Sequence, residues 1–239
     1  MIQRQIDIGL SDLKEMLITM AGFVEEAINY AILAWKNRDE TLLSQVHTIE
    51  DKVNQLHKDV DSSCLKLLAT QQPMAIDLRF VMSIIKINTD LERMVDQAVN
   101  IARTCEYYLK YPELPEMDDL SSMSDDVRFM VREAIDAFVK NDNTLATNVL
   151  KLDDKVDNFK DKIFHDMIDH IKKKPRDTEQ GLNVILIARN LERIGDHATN
   201  IAEDVIFTVS GEDVRHSGAP RTPQTPSKPP PKSPKERGK

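Results

Sequence analysis

The sequence predicts an all-α protein: two tandem three-helix bundles, related by a sequence repeat, followed by a disordered tail. Three observations predict it. Apolar residues recur at helical spacing through long segments, and no segment shows sustained two-residue alternation. The first 209 residues hold only four prolines and four glycines, whereas seven prolines and three glycines crowd into 210–239. A twelve-residue string returns 100 positions later with eight identities: Leu91-Glu92-Arg93-Met94-Val95-Asp96-Gln97-Ala98-Val99-Asn100-Ile101-Ala102 against Leu191-Glu192-Arg193-Ile194-Gly195-Asp196-His197-Ala198-Thr199-Asn200-Ile201-Ala202.

The first helix is predicted from Asp12 to about Asn37, on the line Leu13, Leu17, Met20, Val24, Ala27, Ala31 and Ala34. The second runs from Glu40 to Thr70 on Leu42, Val46, Ile49, Val53, Leu56, Val60 and Leu67, and Pro73 ends it. At ~100° per residue each set falls within one arc. The third runs from Asp77 to about Leu109, before Pro112 and Pro115. Three more follow, over Asp125 to Asn141, Asn143 to Ile171, and, after Pro175, Thr178 to Thr208. Upstream of the repeated string, Thr41-Leu42 and Glu50 to Asn54 align with Thr144-Leu145 and Asp153 to Asp157 at an offset of 103, which also sets Trp35 over Phe138. The units are therefore 1–115 and 116–209, each an up-down-up bundle because short connections make successive helices antiparallel neighbours. Residues 210–239 have too little apolar surface to offset their ordering entropy.

Charge excludes some functions. The tail carries seven Lys/Arg and three Asp/Glu, which leaves 25 basic against 37 acidic groups in the first 209 residues. A body this acidic is a poor partner for nucleic acid, whose affinity comes from neutralised phosphates. Cations and basic protein surfaces suit it better. The longest unbroken apolar runs are five residues, so membrane insertion is not expected. The amino terminus has no apolar segment of signal-peptide length. Two cysteines, Cys64 and Cys105, form no CxxC pair, in keeping with a reducing cytoplasm.

Acidic stripes are the chemical signal. Glu92 and Asp96, like Glu192 and Asp196, stand four residues apart on the third helix of each unit, flanking its core line. The second helices carry Asp153 and Asp157 in one unit, and Glu50 with Asn54 in the other, extended by His57 and Asp61. Carboxylates four apart repel by roughly 0.2–0.5 kcal/mol. When partly buried they take up protons or bind cations. An all-oxygen cluster suits Mg²⁺, Mn²⁺ or Ca²⁺, or iron and zinc with carboxylate ligation. The alternative is a solvated face laced with Arg93, Arg193, Lys52 and Lys155; duplication of the stripe favours the cation. His197, with Gln97 as its counterpart, is either a further ligand or a groove-lining or surface side chain, and His47, His57, His165 and His170 read as surface groups. The chain has no phosphate-binding glycine loop, no HExxH and no Glu-x-x-His of the di-iron bundles.

These residues, together with Gln72-Pro73-Met74-Ala75-Ile76-Asp77-Leu78-Arg79 and the run Arg189 to Asp204, resemble the PhoU family of phosphate-signalling proteins. The resemblance covers residues 1–209 and implies a metal-binding, non-enzymatic, cytoplasmic negative regulator that dimerises. It implies contact with the ATPase of a phosphate ABC transporter and with a sensor histidine kinase. It places metal on Glu50, Glu92 and Asp96 in the first unit, and on Asp153, Asp157, Glu192 and Asp196 in the second. Asn54 stands where the family has an acid, so charge count favours the second unit. A metal-dependent phosphoesterase and a metal-free helical scaffold are the competing functions.

Overall fold

The computed structural model describes residues 5–112, 114 and 118–211. Six long helices follow one another: α1 Gln5–Asn37, α2 Leu43–Gln71, α3 Ala75–Tyr108, α4 Asp118–Lys140, α5 Asn143–Lys173 and α6 Thr178–Ser210. Single 3₁₀ turns, Glu40–Leu42 and Pro175–Asp177, precede α2 and α6. The described residues contain no strand. The expected tail lies outside the described residues, apart from Ser210 and Gly211.

Two helices begin seven residues before the periodicity shows them. α1 is already helical at Gln5, the first described residue, where Ile6 is buried and Gly9 allows a close approach: a Cβ there would collide with Leu67 of α2. α4 is already helical at Asp118, where description resumes, with Leu120 and Met123 fully buried beside serines.

The repeat extends to the turns. Arg38 and Asn141, 103 positions apart, both take a left-handed conformation at a helix end. Each is followed by an aspartate cap: Asp39 accepts from the Thr41 N–H at 3.0 Å, and Asp142 from the Thr144 N–H at 2.7 Å. The sharp reversal makes α1–α2 and α4–α5 antiparallel neighbours.

Within each set the three helices pack on one another, and the sets join through α1 against α4 and α3 against α6. One continuous apolar core runs through both. Residues Ile6–Asn37 are long and apolar enough to cross a membrane by length and composition, which a limit on unbroken apolar runs fails to reveal. In the fold α1 lies against α2, α3 and α4, with Leu17, Met20, Val24, Ala27, Ile28 and Ala31 fully buried. Helices covered on several sides lose the clean division into apolar and polar faces.

The α3–α6 seam is antiparallel and carries a polar ladder. Ser83 meets Thr208 at 2.5 Å, Lys86 donates to Asp204 at 2.8 Å, and His197 Nδ1 lies 2.9 Å from Asp90. All three rungs sit on one half of the seam. The charged members differ from their repeat counterparts, with Asn190 for Asp90, Gln97 for His197, Leu186 for Lys86 and Thr104 for Asp204. The repeat is thus broken where the two bundles lock together.

Candidate functional site: two acidic grooves

The two acidic grooves lie between the second and third helices of each unit. In the first, Glu50 and Asn54 on α2 and Glu92 and Asp96 on α3 are all half-buried. Desolvation raises the Asp96 carboxyl above the ordinary aspartate value, and the negative charge of Glu50 across the groove raises it further; Arg103 opposes weakly. Glu50 also has His47 Nδ1 at 3.4 Å, three residues back on its own helix. His57 turns away from the acids, with Nε2 3.6 Å from Asp61 and Nδ1 3.3 Å from the Asn88 carbonyl.

In the second groove Asp153, Asp157 and Glu192 are half-buried, and Asp196 keeps an exposed edge. The Asp196 carboxyl is nevertheless raised, first by the crowding that desolvates it, then by Glu192 and Asp157; His197 and Lys160 work the other way. Across each groove one second-helix acid raises a third-helix carboxyl by its charge: Glu50 acts on Asp96, and Asp157 on Asp196.

Lys160 changes the second groove. Its ammonium donates to Asp157 at 3.0 Å and to Glu192 at 2.9 Å, bridging α5 and α6. Burial pulls its pKa down, but the two carboxylates outweigh that and hold it above the ordinary lysine value. Its counterpart at an offset of 103 is His57. The acid that the second unit gains at Asp157 thus arrives with a base, and each groove ends with a formal charge of −3. Formal charge alone therefore does not separate the two grooves. The lysine's signal in the sequence is the three-residue spacing from Asp157, which places the two on one helix face; the reach to Glu192 has no local signal.

The other basic candidates lie elsewhere. Lys155 pairs with Asp126 of α4 at 2.7 Å, and Lys52 sits over the Phe23 ring of α1. His197 commits Nδ1 to the Asp90 seam, which makes it groove-lining. His170, expected at the surface, is tied to Asp177 at 2.8 Å across the α5–α6 turn. Both thiols are buried and pushed up to about 12, so neither cysteine supplies a thiolate.

Each groove offers several carboxylate oxygens, and in each one aspartate, Asp96 or Asp196, is held above its ordinary value by desolvation first and by neighbouring acids second. That donor chemistry fits a hard cation. Among the described residues, however, no three His, Cys, Asp or Glu side chains stand close enough to form a ready-made metal cage.

The doubled three-helix unit is matched by known proteins. A model of the PhoU domain fits the chain twice, over residues 17–105 and 120–205. The chain belongs to the PhoU family. Its PhoU relatives include the phosphate-specific transport system accessory protein PhoU homolog of Pseudomonas aeruginosa, 39% identical over 92% of this chain and 91% of that protein. The Escherichia coli phosphate-specific transport system accessory protein PhoU is 32% identical over 91% and 90% of the two chains. Among solved structures, PhoU from Pseudomonas aeruginosa superposes with a TM-score of 0.84 at 38% identity, over 87% of this chain and 100% of that one. The phosphate transport system regulatory protein PhoU from Streptococcus pneumoniae gives 0.81 at 26% identity, over 88% and 99%.

Proposed function

We propose that this chain is a cytoplasmic accessory regulator of a phosphate-specific transport system, restraining phosphate uptake and phosphate-starvation signalling. It acts by protein contact, with the transporter's ATPase and with a sensor histidine kinase, and works as a homodimer. The observation that carries the reading is family membership over both repeats, with relatives named as accessory proteins of phosphate-specific transport across nine-tenths of each chain. Two thiols removed from nucleophilic use agree with a binding role.

The acidic grooves serve this role as cation sites. Glu50, Glu92 and Asp96 hold one cation between α2 and α3, and Asp153, Asp157, Glu192 and Asp196 hold another between α5 and α6. A bound Mg²⁺, Mn²⁺, Ca²⁺, iron or zinc ion supplies positive charge that cancels carboxylate repulsion. The raised carboxyls of Asp96 and Asp196 support this, since they mark where negative charge is least tolerated.

Deletion of the gene tests the regulatory reading: phosphate-starvation genes should be expressed while phosphate is plentiful. Normal repression in the deletion strain, with no second copy to substitute, overturns it. Metal per chain after dialysis against a weak chelator tests the grooves. The combined Asp96→Asn and Asp196→Asn variant should lose most bound metal and stay folded, and metal equal to the parent's would make the stripes ordinary solvated faces.

A further inference from the structure

The two ends of the bundle carry cavities that the internal repeat relates to each other. One, of about 910 Å³, lies where α3 ends and α6 begins, lined among others by Trp35, Tyr108, Arg176, Asp177 and Gln180. The other, of about 480 Å³, lies where α6 ends and α3 begins, lined among others by Thr208, Ile76, Asp77 and Phe80. Tyr108 and Thr208, and the three residues at the start of each helix, stand at an offset of 100.

At the first cavity, the chain that leaves the third helix comes back to line it. Arg38 donates to the carbonyls of Leu109 at 2.9 Å and Tyr111 at 2.6 Å. The Leu114 N–H donates to the Tyr108 hydroxyl at 3.3 Å, and the Leu114 side chain lines the cavity at 6% exposure. Asn141, the counterpart of Arg38 and left-handed like it, lines the second cavity.

At the second cavity, the described chain stops at Gly211. Apolar rim residues are left open there, Ile76 at 76% exposure and Val209 at 43%. The Lys14 ammonium, 4.8 Å from the Phe80 ring centroid, belongs to the same lining. Burial lowers its pKa, with no neighbouring carboxylate raising it back. This end therefore offers an apolar rim and a desolvated cation.

We infer that residues 212–214 of this chain return over the second cavity as a strap, with Val214 seated as Leu114 is at the other end. Val214 follows Leu114 by 100 positions, as Asp213 follows Glu113. It is the only large apolar residue in 212–239. Glu212 and Asp213 beside it bring negative charge to Lys14, and beyond them 215–239 holds seven Lys/Arg and one acid. Gly211 starts the return: its φ of +77° turns the chain off the helix end, and a Cβ there would lie 3.1 Å from the Arg79 guanidinium. Pinned in this way, the basic remainder of the tail leaves the bundle beside the start of α3. The strap shares no residue with the acidic grooves and stands independently of the regulatory reading.

Thiol accessibility tests the strap in the full chain, where both native cysteines are buried. Val214→Cys is compared with Ala219→Cys, a control further along the same tail, using the uncharged reagent N-ethylmaleimide. The Val214→Cys variant should react about tenfold or more slowly than the control. Adding Ile76→Asp, at an exposed rim position, or Lys14→Glu should each bring its rate to within about threefold of the control. Equal rates in the two single variants overturn the inference. Slow labelling that both added substitutions leave unchanged overturns it too, because Val214 is then seated elsewhere. Slow labelling that disappears on dilution also does so, since it seats the strap on a second copy.

Discussion

The two acidic grooves descend from one repeated pattern yet settle their charge differently. In the first, Asn54 replaces an acid and His57 turns to Asp61, so Glu50 and Asp96 face each other without a lysine between them. In the second, Asp157 restores the acid and Lys160 reaches across to Glu192. One groove is short of a carboxylate, whereas the other carries its own cation. Counting acids ranks the second higher, but counting every charge within reach levels them. A metal entering the second groove must also displace an ammonium that makes two charge-assisted hydrogen bonds.

Removing that ammonium should give the largest effect. In an Asp96→Asn background, which isolates the second groove, Lys160→Ala should raise affinity for Mn²⁺ about tenfold or more, because a unit positive charge within bonding distance of two ligands is gone. Titration followed by electron paramagnetic resonance reads it. Unchanged affinity would mean that the lysine swings aside at no cost and the grooves differ only by Asn54.

In the parent chain the same logic makes Asp96→Asn cost more metal per chain than Asp196→Asn. Mass spectrometry after dialysis gives the ratio. The opposite order would restore the ranking by acid count and make Lys160 a bystander.

Stability without metal should move in opposite directions. With chelator present, Lys160→Ala should lose about 1 kcal/mol, since Asp157 and Glu192 are left facing each other without a partner. Asp96→Asn should gain about 0.5 kcal/mol or less, allowing for solvent screening of a half-exposed site. Urea unfolding of the two variants beside the parent measures both signs.

The smallest effect is its pH dependence. Asp96 has a folded pKa above its unfolded one, so it favours the folded state when protonated, and that benefit is lost as pH rises through the folded value. The advantage of Asp96→Asn over the parent should therefore be full near neutrality and shrink as pH falls toward the ordinary aspartate value. The Asp196→Asn difference should follow the same direction, and adding Lys160→Ala should enlarge it, because Lys160 opposes the shift there. An unchanged Asp196→Asn profile after Lys160→Ala would show that Lys160 is not felt by Asp196.

Much of this was legible in the chain itself. The helical spacing of Leu13 to Ala34, the prolines at 73, 112 and 175, and the doubled Leu-Glu-Arg-x-x-Asp string determine six helices in two sets, because periodic burial and proline's missing donor act locally. The acidic stripes were legible for the same reason: residues four apart must share a helix face. The early helical residues of α1 and α4, up to seven before the periodicity shows, were not, because Ile6, Leu120 and Met123 gain their burial from neighbours distant in sequence. Nor could the chain alone show that Lys160 spans to Glu192, that Asp90 holds His197, or that Trp35 and Gln180 meet at one cavity. Those pairs join residues 32, 107 and 145 positions apart. Local periodicity sets which face a side chain occupies; only the packing of helix on helix decides which charge it meets there.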